Sequence, residues 1–210
     1  METQQLQQRS EEWHEARRNR LTASDYANAA GLVKAYQSRA HAWKVKIGAI
    51  DVEVNPAMQF GIDNEENARD DYEVATGNIS MPTGFHVHPD HDWLGASPDG
   101  VISGDVLHEV KCRATAPYTN VSSLHFCQIQ GQLACTGLER CHYQSWTPDA
   151  QRIWEVEFNK DYWEWLVPYL QEFWSYVQDV KEPPRRKRVE YPEPIDINIH
   201  LLYSSESIVF

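Results

Sequence analysis

Gly95-Ala96-Ser97-Pro98-Asp99-Gly100-Val101-Ile102-Ser103-Gly104-Asp105-Val106-Leu107-His108-Glu109-Val110-Lys111 is the stretch from which the fold can be read. Ser97-Pro98-Asp99-Gly100 puts proline and glycine where a tight turn wants them, Val101-Ile102 is a short strand, and Gly104-Asp105 closes a second turn. Asp99 therefore stands at a strand end. From Val106 the residues alternate, so Leu107, Glu109 and Lys111 face one side while His108, Val110 and Cys112 face the other. Residues two apart on a strand are separated by roughly 7 Å, close enough for a carboxylate at Glu109 to hold a cation while the Lys111 ammonium reaches a water or a phosphate oxygen beside it. Asp99, across the hairpin, offers a second carboxylate. Two hard oxygen ligands with open positions suit Mg²⁺, with Mn²⁺ also acceptable. Hydrolysis of a phosphodiester needs such a site. Taken singly, Pro-Asp-Gly is a common turn and Glu-x-Lys a common solvated strand face, so the hairpin gains its weight from what surrounds it.

Upstream, Ser10 is placed to cap a short helix with Glu11 and Glu12 in its first turn and Trp13, Ala16, Arg17 and Arg20 at helical spacing. Leu21-Thr22-Ala23-Ser24-Asp25 then offers fresh caps for a second helix ending near Gly31. Its hydroxyls and free amides form a cradle for a phosphate that Arg17 can complete, although such clusters usually serve as caps alone. Tyr36, Ala40, Trp43 and Ile47 predict a helix over 36–47, with Gly48 as its stop. Pro56 opens a longer helix through Phe60, Gly61, Glu65, Ala68, Arg69 and Tyr72 to Gly77. Phe60, Ala68, Tyr72 and Ala75 form its buried stripe, and Glu65 is either a surface partner of Arg69 or a half-buried functional acid. His86, His88 and His91 invite a zinc reading, but no cysteine or fourth ligand falls at a familiar spacing, so they read as ordinary strand and turn histidines.

Downstream, a helix over 123–136 capped by Gly137 carries Gln128 and Gln132 one turn apart, with Gln130 on another side. Two strands, 141–147 and 152–158, close around Pro148-Asp149. An aromatic helix follows from about 160 to 181, with Pro168 as a kink or restart. Pro183-Pro184 ends it before the one dense basic run, Arg185-Arg186-Lys187-Arg188, a phosphate contact or a solvated linker. Residues 195–210 alternate as an edge strand or an arm against another subunit.

The 210 residues suit one well-buried domain over 1–182 followed by a tail or arm over 183–210. No run approaches the roughly 18 apolar residues of a membrane span, and the first residues lack the pattern of a signal peptide. A cytoplasmic protein is expected. Cys112, Cys127, Cys135 and Cys141 have no Cys-x-x-Cys spacing and read as reduced core thiols. A net charge of −12 opposes loose binding to nucleic acid. The charge is unevenly spread: residues 1–50 hold eight Lys and Arg against five Asp and Glu, while residues 51–100 hold one against eleven. The acid gathers around the hairpin.

Over residues 9–180 the chain resembles the YqaJ-type viral recombinase exonucleases, typified by bacteriophage lambda exonuclease, within the PD-(D/E)xK nuclease superfamily. The resemblance is carried in order by Trp13-His14-Glu15-Ala16-Arg17, Leu21-Thr22-Ala23-Ser24, Gly61-x-x-x-Glu65-x-x-Ala68, Gly95-Ala96-Ser97-Pro98-Asp99-Gly100, Glu109-Val110-Lys111-Cys112 and Gln128-Ile129-Gln130. It implies an α/β (α+β) fold with a central mixed sheet flanked by helices, and a Mg²⁺-dependent enzyme that degrades one strand of duplex DNA from its 5′ end in phage-type recombination. By the same resemblance Asp99, Glu109 and the Val110 carbonyl hold the metal, and Lys111 acts on the attacking water. Glu65 acts on a metal-bound water, Gln128 lies beside the scissile phosphate, and Arg17 and Ser24, with Thr22 beside them, hold the terminal 5′-phosphate. Expected partners are duplex ends, a single-strand annealing protein and further copies of the chain, a ring being one form. The loop from Arg113 to Ser123 is shorter than in the typified member, and the tail from Pro183 has no counterpart. Three other readings compete: a RecB-like iron-sulfur nuclease of CRISPR adaptation, which places its cysteines elsewhere; a restriction-type endonuclease; and a catalytically silent DNA-binding module, which has no need of four converging ionisable groups.

Overall fold

The structure is a computed structural model and describes Gln8 and residues 10–205; the rest of the predicted terminal segment, 206–210, and the first residues lie outside the described range. Helices α1 (Glu11–Arg18), α2 (Tyr26–Ala30), α3 (Arg39–Lys46), α4 (Pro56–Thr76), α5 (Ser123–Thr136) and α6 (Lys160–Gln178) flank two sheets. The smaller sheet joins β1 (Leu21–Thr22), β4 (Leu94–Ala96) and β3 (His86–Val87) in the order β1-β4-β3. The larger runs β2-β5-β6-β7-β8-β9, from β2 (Ser80–Met81), β5 (Gly100–Ile102), β6 (Val106–Cys112), β7 (Arg140–Trp146) and β8 (Gln151–Glu157) to β9 (Ile199–Ser204). Only β6 and β7 pair in parallel within it, with Glu109 opposite Tyr143 and Lys111 opposite Ser145; its other pairings are antiparallel. The sheet is therefore mixed, as expected.

Parallel neighbours need a crossover, and α5 supplies it. Ser122 caps its first turn and Gly137, at φ +73°, ends it. The helix lays Phe126, Ile129 and Leu133 into a core shared with Tyr26, Leu107, Tyr143, Leu166 and Phe173. Gly131 lets this helix touch the segment before α2: a Cβ there would stand 2.4 Å from the Tyr26 ring and 3.2 Å from Ala23. Helix α4 packs on the opposite side of β6, burying Ala68 against Val110 and Trp146, and Tyr72 against Ile102, Val106 and Ile153. Strand β6 is thus held between two helices, and its alternation sends each side chain to one of them.

Several sequence expectations are corrected. The helix expected over 36–47 is α3, begun by the Ser38 hydroxyl accepting from the His41 amide; Tyr36 lies outside it and is 72% exposed. The second helix does not start at Thr22. A 3₁₀ turn (Ala23–Asp25) intervenes, and Thr22 caps nothing, its hydroxyl donating to Asp25 instead. The basic run is drawn into the fold. Arg186 pairs with Glu172 at 2.6 Å and donates to the Ala30 carbonyl, while Arg188 donates to the carbonyls of Leu32 and Ala35. Beyond it, β9 forms the sheet's edge beside β8, so the segment from 183 is stitched to the core at two places.

Candidate active site

The tight turn before β5 brings Asp99 back across β6, where its Oδ2 accepts from the Val110 amide at 2.7 Å. Glu109 points the other way along the strand normal, toward α5, and is 2% exposed. Gln128 Nε2 donates to one Glu109 oxygen and Gln132 Nε2 to the other, each at 2.6 Å. Lys111 Nζ also donates to Glu109 Oε1. The spacing of 128 and 132 on α5 therefore matches the two oxygens of a single carboxylate. Glu65 sits on α4 within 3.7 Å of Arg69, whose guanidinium also reaches the Asp99 carbonyl at 3.3 Å.

The charges are not balanced locally. Burial, and then repulsion from Glu109, hold the Asp99 carboxyl well above the usual range despite Lys111 and the Val110 amide. Burial acts to lower Lys111, but the carboxylates of Glu109 and Asp99 outweigh it and keep the ammonium firmly protonated. Surplus negative charge in a half-closed space is what a hard divalent cation relieves. Among the described residues no three His, Cys, Asp or Glu side chains are grouped to hold a metal by themselves. The donors at hand are two carboxylates and a backbone carbonyl, a set that fits Mg²⁺ with the remaining positions left to water and phosphate oxygens.

Next to the carboxylates opens a cavity of about 190 Å³ lined by Trp13, Arg17, Ser24, Glu65, Ser97 and Asp99, with Gln8, Ala23, Gln128 and Gln132 completing it. Arg17 lies 4.4 Å from the Trp13 ring centre. Its donors reach Ser97, Thr22 and Ser24 only at 3.4 Å, long for hydrogen bonds, which leaves them capacity for an anion. Burial lowers the Arg17 pKa and nearby Asp25 opposes this, but a guanidinium stays charged. Behind it, Lys46 donates to the Arg17 carbonyl at 2.7 Å, and burial brings that ammonium down to about 8.

Asp99, Glu109, Val110, Lys111, Glu65 and Gln128 are thus brought to one place, and Arg17, Thr22 and Ser24 to its margin. The sequence reading passed over Ser97, taken as a turn residue, although it accepts from the Trp13 indole at 2.9 Å. It passed over Trp13 too, which stands one helical turn before Arg17. Gln132, noted only for its spacing, keeps a buried carbonyl oxygen without a partner. His88 stacks on Trp163 with ring centres 5.5 Å apart, and its Nδ1 accepts from the Asp90 amide. All four cysteines are free.

No curated protein matches the sequence. Among solved structures the chain is similar to an alkaline exonuclease, LHK-Exo, from Laribacter hongkongensis, at 28% identity and a TM-score of 0.70 over 81% of this chain and 94% of that one. The same enzyme in complex with dAMP gives 26% identity and a TM-score of 0.69 over the same shares. A phage related exonuclease from Haemophilus somnus 129PT shares the fold at 10% identity and a TM-score of 0.63, covering 77% of this chain and 94% of that one. The model of the YqaJ-like viral recombinase domain matches residues 12–139, a span that holds both carboxylates, Lys111, the Arg17 cavity and the glutamines of α5, and the chain belongs to that family.

Proposed function

We propose that this protein is a Mg²⁺-dependent exonuclease, able to use Mn²⁺, that removes nucleotides from the 5′ end of duplex DNA in phage-type recombination and leaves a single strand for an annealing partner. The observation that carries this reading is the joining of two elements: the Asp99–Glu109–Lys111 cluster and, sharing its wall, a cavity with a loosely held arginine. The first suits phosphodiester hydrolysis and the second a terminal phosphate. Family membership and the likeness to an alkaline exonuclease that has been seen with dAMP support the same reaction class.

Asp99, Glu109 and the Val110 carbonyl would hold the metal, which when bound supplies charge to the phosphoryl oxygens and a more acidic water. Gln128 and Gln132 fix the plane of the Glu109 carboxylate, so its direction is set before the cation arrives. Lys111, held as an ammonium, donates to the attacking water or a non-bridging oxygen. Glu65, on the wall of the cavity, orients a water. Arg17, Ser24 and Ser97 receive the terminal phosphate, whose extra negative charge distinguishes it from an internal diester.

The test is digestion of linear duplexes labelled at either end, with and without a 5′-phosphate, in Mg²⁺. Release of label from 5′ ends first, faster with the phosphate, is expected. Cutting of a closed circular plasmid into discrete fragments, or tight binding without metal-dependent cleavage, would refute it. Assembly with further copies of the chain belongs to the same proposal, and sedimentation of the free protein tests it.

A further inference from the structure

Tyr36 is the one exposed Phe, Tyr or Trp side chain among the described residues. It is exposed on a fixed backbone: the Ala35 amide donates to Leu32, the Ala35 carbonyl accepts from Arg188 at 2.8 Å, and the Gln37 amide donates to Asn28 at 3.1 Å. The ring is therefore held outward by its neighbours on both sides. Its phenol lies within electrostatic reach of the Tyr118 phenol, Lys111 and Arg113. The Arg113 guanidinium stands 4.2 Å from the Tyr118 ring centre and donates to the Ala116 carbonyl. Tyr118 is itself pinned, its amide donating to Ser145 at 2.8 Å and its ring meeting His125 edge-on at 4.9 Å.

Helix α5 gives the direction. In its C-terminal half Gly131 packs close to Ala23, on the wall of the Arg17 cavity; Gln128 and Gln132 both line that cavity and both reach Glu109; His125, nearer the start, touches Tyr118. Along β6 the order is Glu109, Lys111 and then Arg113 just beyond the strand. The Arg17 cavity therefore lies toward the end of α5 and the Tyr118 and Tyr36 surface toward its start. A strand whose end sits in the cavity and whose scissile phosphate sits at Glu109 continues onto Tyr36. An aromatic face beside two cations is how a protein holds an unpaired nucleotide, by stacking on the base and pairing with its phosphate.

We propose that Tyr36, with Tyr118 and Arg113 behind it, forms a second nucleic-acid subsite that holds the nucleotide on the 3′ side of the scissile phosphate, its unpaired base stacked on the Tyr36 ring. This rests on the nuclease reading of the adjoining site. The experiment uses the full chain and 5′-phosphorylated duplexes carrying 2-aminopurine at each of the first four nucleotides of the 5′-ended strand, or at the facing positions of the complement, in EDTA so that binding is read without turnover. Quenching at the second or third nucleotide of the 5′-ended strand is expected with wild type and with Tyr36→Phe, and its loss with Tyr36→Ala. The Kd for the end rises about 5- to 100-fold in the alanine variant. A quench that survives Tyr36→Ala, a quench confined to the complement, or a Tyr36→Phe variant as impaired as the alanine one would each overturn the subsite. Wild type that shows the Tyr36-dependent quench yet degrades no DNA in Mg²⁺ or Mn²⁺ refutes the nuclease reading while upholding the subsite.

Discussion

The two faces of β6 bury polar residues equally and to opposite ends. On the α4 face His108 is fully buried, its Nδ1 paired with the Ser80 hydroxyl at 2.8 Å and its Nε2 with Gln144 Oε1 at 3.1 Å. Gln144 passes the chain on, donating to the Ala68 carbonyl and to Gln151, which donates to the Asp71 carbonyl. Burial takes His108 down to about 3, so the network is neutral. On the α5 face Glu109 is as deeply buried but pairs with the Lys111 ammonium. Three donors crowd it, Asp99 beside it is pushed toward protonation, and Gln132 keeps an acceptor unspent. A completed neutral network fastens a helix to a sheet, whereas surplus charge next to a cavity is what a bound cation would relieve.

The largest effects should come from the charged face. Asp99→Ala and Glu109→Ala should each reduce cleavage of linear duplex by about a hundred- to a thousandfold or more. Their stabilities should part. Losing Asp99 relieves repulsion with Glu109 and Glu65, so its melting temperature should hold or rise. Losing Glu109 strips Lys111 of its partner and leaves two buried glutamine donors idle. Breaking a buried pair costs about 3 kcal/mol or more, but Lys111 keeps 28% of its side chain exposed, which places the cost below that. Thermal melts showing equal shifts for the two variants would break the contrast. Lys111→Ala comes next, with turnover down about a hundredfold and Mg²⁺ affinity kept, since an ammonium is no ligand and its loss leaves the carboxylates more negative. Calorimetry showing weakened Mg²⁺ binding would overturn that role.

The third effect lies at the cavity. Arg17→Ala should shrink the preference for 5′-phosphorylated over 5′-hydroxyl duplex by about ten- to a hundredfold, the worth of one charge-assisted contact realised in the transition state. Rates on the hydroxyl substrate should change little. Equal slowing of both substrates would make Arg17 a general support of the site and dissolve its separate role.

What the sequence disclosed follows the range of the forces involved. Strand alternation placed Glu109 and Lys111 on one face and His108 on the other, and the four-residue step put Gln128 and Gln132 together, because these are local geometric rules. The cap at Ser10, the helix start at Pro56 and the stop at Gly137 were legible for the same reason, whereas the Asn55 side chain that caps the Pro56 helix was not singled out. Tyr36 was misplaced because its apolar spacing fits a helix, while Ser38 starts the helix later and Asn28, nine residues before Gln37, fixes the intervening turn. Ser97 and the His108 network could not be read, since their partners lie 84 and 80 residues away for Ser97, and 28 and 36 for His108. Arg186 and Arg188 looked like a solvated run because the carbonyls that absorb them are more than 150 residues distant.

The smallest effect belongs to the neutral face and tests whether the two faces are independent. Ser80 is 2% exposed, its hydroxyl serves His108, and that oxygen packs against Gly100, where a Cβ would come within 2.4 Å. Ser80→Ala removes the hydroxyl without adding bulk, so Gly100 and the turn holding Asp99 stay where they are. The His108 ring loses one of two partners, at a cost of about 1 to 2 kcal/mol. For a chain of this size that lowers the melting temperature by roughly 2 to 8 °C. Because the lost bond is neutral and points away from Glu109, the cleavage rate at 25 °C should match wild type within about twofold, well under the 1.4 kcal/mol that a tenfold change represents. A variant that melts like wild type but cleaves far more slowly would show that the α4 face tunes the chemistry, through Glu65 or the Asp99 turn, and the division between a fastening face and a working face would fall.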